Sequence, residues 1–282
     1  GDENEMVRMS EGRSEGRSTG FTAGSVPEAY DRFMAPQLFG PWARELVSRA
    51  GLPSGSSVLD VASGPGTVAR LAAAVVGPDG RVVASDISPA MLAVAAAKPV
   101  DPAWAPIGYL ECPVSAIDAA EGSFDAVLCQ QGLQFFPDRG RAVGEMCRVT
   151  RPGGVVMVST WASERPLGLF GPMTEALQEA GMAEPYPHAF DPRSYSLGAA
   201  ELRRLLSGLR DLVIETVVLD AVWRNADDAA ATLMGTPYGP GIRALPAETQ
   251  EQVRTLFTRR LRPSADGTIT IQTASHIGRG VR

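Results

Sequence analysis

Residues 58–67 read Val-Leu-Asp-Val-Ala-Ser-Gly-Pro-Gly-Thr: a short apolar run, a loop of small residues, then a helix-compatible segment. This stretch constrains the fold most. Val58–Val61 has the length and bounds of a buried strand. Thr67–Val76 predicts a helix, closed by the turn residues Gly77-Pro78-Asp79-Gly80. A strand that passes through glycines into a helix bares its backbone to a ligand and aims free N–H groups at it. In an open α/β sheet, ligands bind at this place, the carboxyl end of the first strand.

The alternation continues. Arg81–Ser85 predicts a second strand ending at Asp86. Ser88-Pro89 supplies an N-cap and a first-turn proline for a helix over Ala90–Lys98. Ile107–Leu110, Phe124–Cys129 and Val155–Thr160 predict strands three to five. Arg139–Val149 predicts a helix, and Arg151-Pro152-Gly153-Gly154 a turn before strand five. Ahead of all this, Pro27-Glu28-Ala29-Tyr30 starts a helix, and Pro36 and Pro41 predict breaks into short helices. Gly51 is the expected C-cap of the last of these. The later half predicts helices over Met173–Ala180, Ala199–Leu209, Asp227–Met234 and Ala247–Arg260, with strands over Leu212–Trp223 and Thr268–Gly278. The expected fold class is α/β: a doubly wound, Rossmann-like, seven-stranded, mostly parallel sheet with helices on both faces and a small lid.

Composition narrows the function. The 282 residues are 44% hydrophobic and 21% charged, enough for a full core. A net charge of −6 argues against a general nucleic-acid binder or a basic membrane-surface protein. The absence of an apolar run of about 18 residues, with a polar start unlike a signal peptide, predicts a soluble, cytoplasmic chain with no membrane partner. Three cysteines, an odd number, read as free thiols in a reducing compartment. With two histidines they are too few for an ordinary structural zinc site and another role besides, and no metal is expected.

Gly64-x-Gly66-x-x-Ala69 alone also fits a dinucleotide fingerprint, so an NAD(P)-dependent oxidoreductase is an alternative. Two acids separate the readings. Asp60 stands at the strand end, where it repels a diphosphate and favours a cation. Asp86 lies 20 residues after Gly66 and can accept both hydroxyls of a ribose. Ribose and positive charge occur together in S-adenosyl-L-methionine.

These residues, with Ser123-Phe124-Asp125-Ala126-Val127, Leu133-Gln134-Phe135-Phe136-Pro137-Asp138 and Arg148-Val149-Thr150-Arg151-Pro152-Gly153-Gly154, resemble class I S-adenosylmethionine-dependent methyltransferases of the small-molecule, type 11-like kind. The resemblance covers about Tyr30 to Trp161. It implies S-adenosyl-L-methionine as cofactor and S-adenosyl-L-homocysteine as product. It implies cofactor contacts from Asp60, Ala62, Ser63, Gly64 and Gly66, with Asp86 on the ribose and Ile87 and Met91 nearby. Tyr30 would cover the site, and Gln130 and Gln131 would lie over the methionine; core packing for the tyrosine and ordinary loop roles for the glutamines are equally open. The sequence departs from the family at Ala62, where many members have glycine, and at Pro113-Val114, where the family has Asp-Ala. Pro113 offers no carboxylate, which leaves the backbone N–H of Val114 or Ser115 for the adenine.

The implied organisation is a flexible tail over 1–24 and one domain over 25–282. Residues 25–50 form N-terminal helices, 51–161 the cofactor half, and 162–282 the substrate and lid half. The expected acceptor is a hydrophobic small molecule methylated on O, N or C, from secondary metabolism, with a homo-oligomer possible. Methyl transfer requires alignment above all. His188, in the Pro- and aromatic-rich loop Pro185–Tyr195, is the candidate base where the acceptor must lose a proton; Tyr186, Asp191, Tyr195, Tyr238 and His276 are lesser candidates. A cyclase that keeps the cofactor on the same fold is a third reading.

Overall fold

The computed structural model describes residues 26–165, 168–182, 196–236 and 238–282. The elements run α1 (Val26–Phe33), a π-helical turn (Ala35–Phe39), α2 (Gly40–Ala50), β1 (Ser57–Val61), α3 (Thr67–Val76), β2 (Arg81–Asp86), α4 (Pro89–Ala96), β3 (Ile107–Glu111) and β4 (Phe124–Gln130). There follow α5 (Arg139–Val149), β5 (Thr150–Trp161), α6 (Phe170–Glu179), α7 (Ala199–Leu205), β6 (Arg210–Trp223), α8 (Ala226–Ala231), α9 (Gly239–Arg243), α10 (Ala247–Thr258) and β7 (Ile269–Val281).

Seven strands form one sheet in the order β3-β2-β1-β4-β5-β7-β6. β1 to β5 are parallel; β7 inserts antiparallel between β5 and β6. The order reverses between β1 and β4, which places the crevice for a ligand above those two strands. Side chains alternate across the sheet, so each strand feeds two cores. Along β4, Ala126 and Leu128 join a cluster with α2, α3, α6 and α10. Val127 and Cys129 join the opposite cluster with α5 and α7. Apolar runs buried on both faces are what a covered parallel sheet demands.

Several expectations change in detail. Pro36 and Pro41 divide the N-terminal segment into short helices as expected: each sits in the first turn of its piece, where a missing N–H costs nothing. A π-helical turn therefore joins α1 and α2 almost without a gap. Gly51 takes the left-handed cap at φ +61°, as expected. Residues 151–154 belong to β5 instead of a separate turn, and the register against β4 shifts between Phe124 and Ala126. Gly153 takes φ +80°, and a Cβ on Gly154 would fall 2.7 Å from the Asp125 carbonyl. The glycines thus build a bulge. α4 ends at Ala96, two residues short of Lys98. The three cysteines are free; burial pushes the Cys129 thiol up to about 12. The loop Pro185–Tyr195 with His188 lies outside the described residues.

Candidate active site

The loop after β1 gathers the expected residues. Ala62, Gly64 and Gly66 all take positive φ, at +54°, +53° and +83°. The alanine has adopted the conformation that suits glycine, and Gly132 accommodates it: a Cβ on Gly132 would lie 2.9 Å from the Ala62 Cβ. The methyl that this loop gains is matched by one that the β4 loop lacks.

Asp60 points from β1 into the helix start and is 1% exposed. Its Oδ2 accepts the Ala69 N–H at 3.0 Å. Gly66, the N-cap of α3, has no side chain to do this, so the strand supplies the cap instead. Burial raises the Asp60 pKa well above the usual carboxylate range; the Ala69 bond opposes the rise and the nearby Asp86 charge adds to it. Asp86 closes the other side. Its Oδ2 accepts the Gly64 N–H at 2.9 Å and its Oδ1 the Ser88 N–H at 2.9 Å. Burial raises this acid too, against the lowering by those backbone bonds. The Ile87 N–H lowers it too, and of the four lone-pair positions on the carboxylate these three bonds leave one for a ligand hydroxyl.

A cleft beside Asp60 opens to solvent, with about 340 Å³ of empty space in and just outside it; Asp86 does not line it but holds the Gly64 N–H of its wall. Tyr30, Asp60, Ala62, Ser63, Gly64 and Gln130 line it, as expected from the sequence. Phe39, Pro65, Thr67 and Val68 line it as well. Phe39 was not legible because only the π-helical turn brings it there, where Tyr30 stacks on it at 4.9 Å. Gln130 Nε2 donates to the Phe39 carbonyl at 3.2 Å. Gln130 Oε1 and Ser63 Oγ are buried and have no partner among the described residues.

Other expected residues lie outside this wall. Ile87 stands at the end of β2, 51% exposed, free to flank a ring. Met91 is buried beneath the glycine loop. Pro113, Val114 and Ser115 follow β3, which pairs with the Asp86 strand at Glu111. Gln131 departs from expectation. Its backbone sits at φ +54°, which turns the side chain into the sheet. Nε2 donates to Ser275 Oγ at 2.9 Å, while Oε1 accepts from the Trp161 N–H and Gln134 Nε2. It ties β4, β5 and β7 together and leaves the cleft to Gln130.

His276, in β7, is also removed from the cleft. Nε2 meets Glu164 Oε2 at 2.6 Å and Nδ1 meets Thr216 Oγ1 at 2.9 Å. Among the described residues no group of His, Cys, Asp and Glu could hold a metal, and no helix is long and apolar enough to cross a membrane.

Residues 59–158 match a family described as a methyltransferase domain. The chain is 36% identical over 138 residues to the ubiquinone/menaquinone biosynthesis C-methyltransferase UbiE of Hahella chejuensis, which covers 48% of this chain and 55% of that protein. An uncharacterised protein of Mycobacterium tuberculosis is 34% identical over 145 residues, 51% of this chain and 50% of that one. The chain thus spans about half the length of the curated relatives it matches. Among solved structures, phosphoethanolamine N-methyltransferase 2 of Haemonchus contortus in complex with S-adenosyl-L-methionine is similar in fold. Its TM-score is 0.57 at 17% identity, covering 91% of this chain and 56% of that one.

Proposed function

The chain carries a methyltransferase domain of the class I, S-adenosylmethionine-dependent family, and from that premise we propose that it methylates a hydrophobic small molecule, with S-adenosyl-L-homocysteine as product. One observation carries the reading. The cleft joins one buried acid, Asp60, to two unpartnered polar atoms, Ser63 Oγ and Gln130 Oε1, and a second buried acid, Asp86, holds the Gly64 N–H of its wall from behind. No Lys, Arg or His lines it among the described residues. Such a site suits a ligand with an ammonium and a ribose and disfavours a diphosphate, which speaks against the oxidoreductase alternative.

The residues fit the cofactor as follows. Asp60 offers its charge to the methionine ammonium and Gln130 Oε1 accepts one of its N–H bonds. Asp86 accepts a ribose hydroxyl, Ile87 flanks the adenine, and the N–H of Val114 or Ser115 meets its edge. Gly64 and Gly66 let the ligand lie on bare backbone, and Tyr30 closes over it. The bound cofactor supplies a methyl already activated on sulfur, so the protein's task is to align the acceptor and exclude water.

For the acceptor, Tyr30 and Phe39, stacked with their rings 4.9 Å apart in the cleft wall, support an apolar partner. Likeness to a quinone-biosynthesis C-methyltransferase favours carbon over oxygen or nitrogen as the methylated atom. His188 keeps its place as the proposed base for an acceptor that must lose a proton. We read the acceptor as a secondary metabolite and the setting as cytoplasmic. The test is calorimetry with S-adenosyl-L-homocysteine and NAD, then mass spectrometry of apolar substrates incubated with a labelled methyl donor. Binding of the first ligand and a gain of one methyl support the reading. Tight NAD binding alone overturns it, and a product of unchanged mass points to cyclisation.

A further inference from the structure

The glycine loop rests on one face of α4. A Cβ on Gly64 would meet Met91 Sδ at 4.0 Å, and one on Gly66 would meet Ala95 Cβ at 3.1 Å. Lys98, in the bend just past α4, continues this face at helical spacing. Its Nζ donates to the Pro65 carbonyl at 2.9 Å. The same Nζ donates to Asp31 Oδ1 of α1 at 2.5 Å. Asp31 is the neighbour of Tyr30, which lines the cleft, and Pro65 lines it from the opposite segment.

Lys98 is the only lysine in the chain; every other basic side chain apart from two histidines is arginine. Its compact ammonium has three donors, enough to serve a carbonyl and a carboxylate from two different segments. Both side chains are about three-quarters buried, at 25% and 27% exposed, so solvent screens the pair less than an open surface pair.

We propose that Lys98 is a positioning residue for cofactor binding: it fastens α1 to the glycine loop, so that the cover over the cleft and the cradle beneath it act as one unit. Release of the ligand then requires the α1 link to part. The inference rests on the cofactor reading above and adds to it a residue that contacts no cofactor itself. Apolar contacts support this closure as well: Tyr30 of α1 stacks on Phe39, and Met34, just past α1, packs against Gly235.

The test uses the full chain with S-adenosyl-L-homocysteine, following association and dissociation by surface plasmon resonance and the melting temperature of the free protein alongside. Lys98→Met should raise the dissociation rate about ten-fold, with Kd following and the association rate little changed. The free protein should melt within about 3 °C of wild type. Lys98→Arg keeps the charge at Asp31 and should recover most of the loss. Asp31→Asn should raise the dissociation rate in the same way, and the double variant Lys98→Met/Asp31→Asn should be no worse than the more severe single one. A Kd for Lys98→Met within two-fold of wild type overturns the proposal, as do single-variant effects that multiply in the double. Where Lys98→Met fails to fold, the Asp31→Asn rate decides alone. Wild-type protein that does not bind the ligand overturns the cofactor reading, and the fastening role with it.

Discussion

The centre of the sheet and its β6 edge treat buried polar groups differently. Around β6 and β7, His276 is 3% exposed and both its ring nitrogens are engaged, by Glu164 and Thr216. Glu164 has its other oxygen on the Ala199 N–H, at the start of α7. Burial raises the Glu164 acid while the His276 and Ala199 bonds lower it, with a net lowering. Around β1 and β4, Asp60 and Asp86 are held by backbone N–H groups alone, their pKa values rise, and two neighbouring polar atoms find no partner. A cluster that satisfies itself stabilises a fold. A cluster that leaves acceptors open costs stability, and the cost is recovered when a ligand arrives. Unpartnered buried atoms also occur at Ser159, Thr160 and Trp223, but Ser63 and Gln130 are the ones that line the cleft, which supports the proposal that the incomplete centre is the site.

The largest expected effect lies at Asp86. Asp86→Ala removes the ribose acceptor and strands the Gly64 and Ser88 N–H groups. S-adenosyl-L-homocysteine binding should weaken about a hundredfold, near 3 kcal/mol, the upper end for hydrogen bonds to a charged group. Asp86→Asn keeps one acceptor oxygen and should fall between. Unchanged affinity in a titration would remove Asp86 from the site and erase the contrast between the two regions.

The complementary break is at His276. His276→Ala deletes a buried ring between α7 and the sheet. Folding stability in urea should drop by about 2 kcal/mol, the scale of a cavity plus lost hydrogen bonds. Glu164 and Thr216 can then turn to water, because the Glu164 side chain is already 54% exposed and Thr216 lies on an edge strand. Ligand affinity should stay within about two-fold, since additive, distant sites do not share binding energy. Loss of affinity or methyl transfer at unchanged stability would assign the self-satisfied cluster a functional role instead.

The comparison also marks what was legible in the sequence. α3 and α5 fall on the residues expected, because glycine turns, caps and apolar spacing are local signals. Asp60, Ser63 and Gly64 were legible as cleft residues because strand, loop and helix follow each other within a few positions, whereas Gln130, at the end of β4, stood open between a cleft and a loop role. Features that depend on distant partners were not. Phe39 reaches the cleft only through a π-helical turn that no composition announces. Gln131 reads like Gln130 in sequence, yet a left-handed backbone sends it to Ser275, 144 residues away. Lys98 reads as the end of a helix; that it joins Asp31 to Pro65 depends on how α1 folds back.

The smallest effect sharpens the contrast most directly, because it reads the charge of the open region. Asp60 and Asp86 have folded pKa values above the ordinary carboxylate value near 3.8, chiefly because burial disfavours their charge. A folded pKa that is raised stabilises the fold below the ordinary value, and that contribution is lost as pH climbs through the raised one. An ammonium ligand reverses the sign. It favours the charged carboxylate, draws the pKa back down, and so expels protons on binding within that same window. Affinity for S-adenosyl-L-homocysteine should therefore increase as pH climbs above the ordinary carboxylate value through the raised ones, with a fraction of a proton released per ligand. Calorimetry at pH 5 in two buffers of different ionisation heat measures that release. Asp60→Asn should abolish most of it while leaving the His276 region untouched. Equal heats in the two buffers would mean that the acids are already charged in the free protein and that the open region is no emptier of positive charge than the satisfied one.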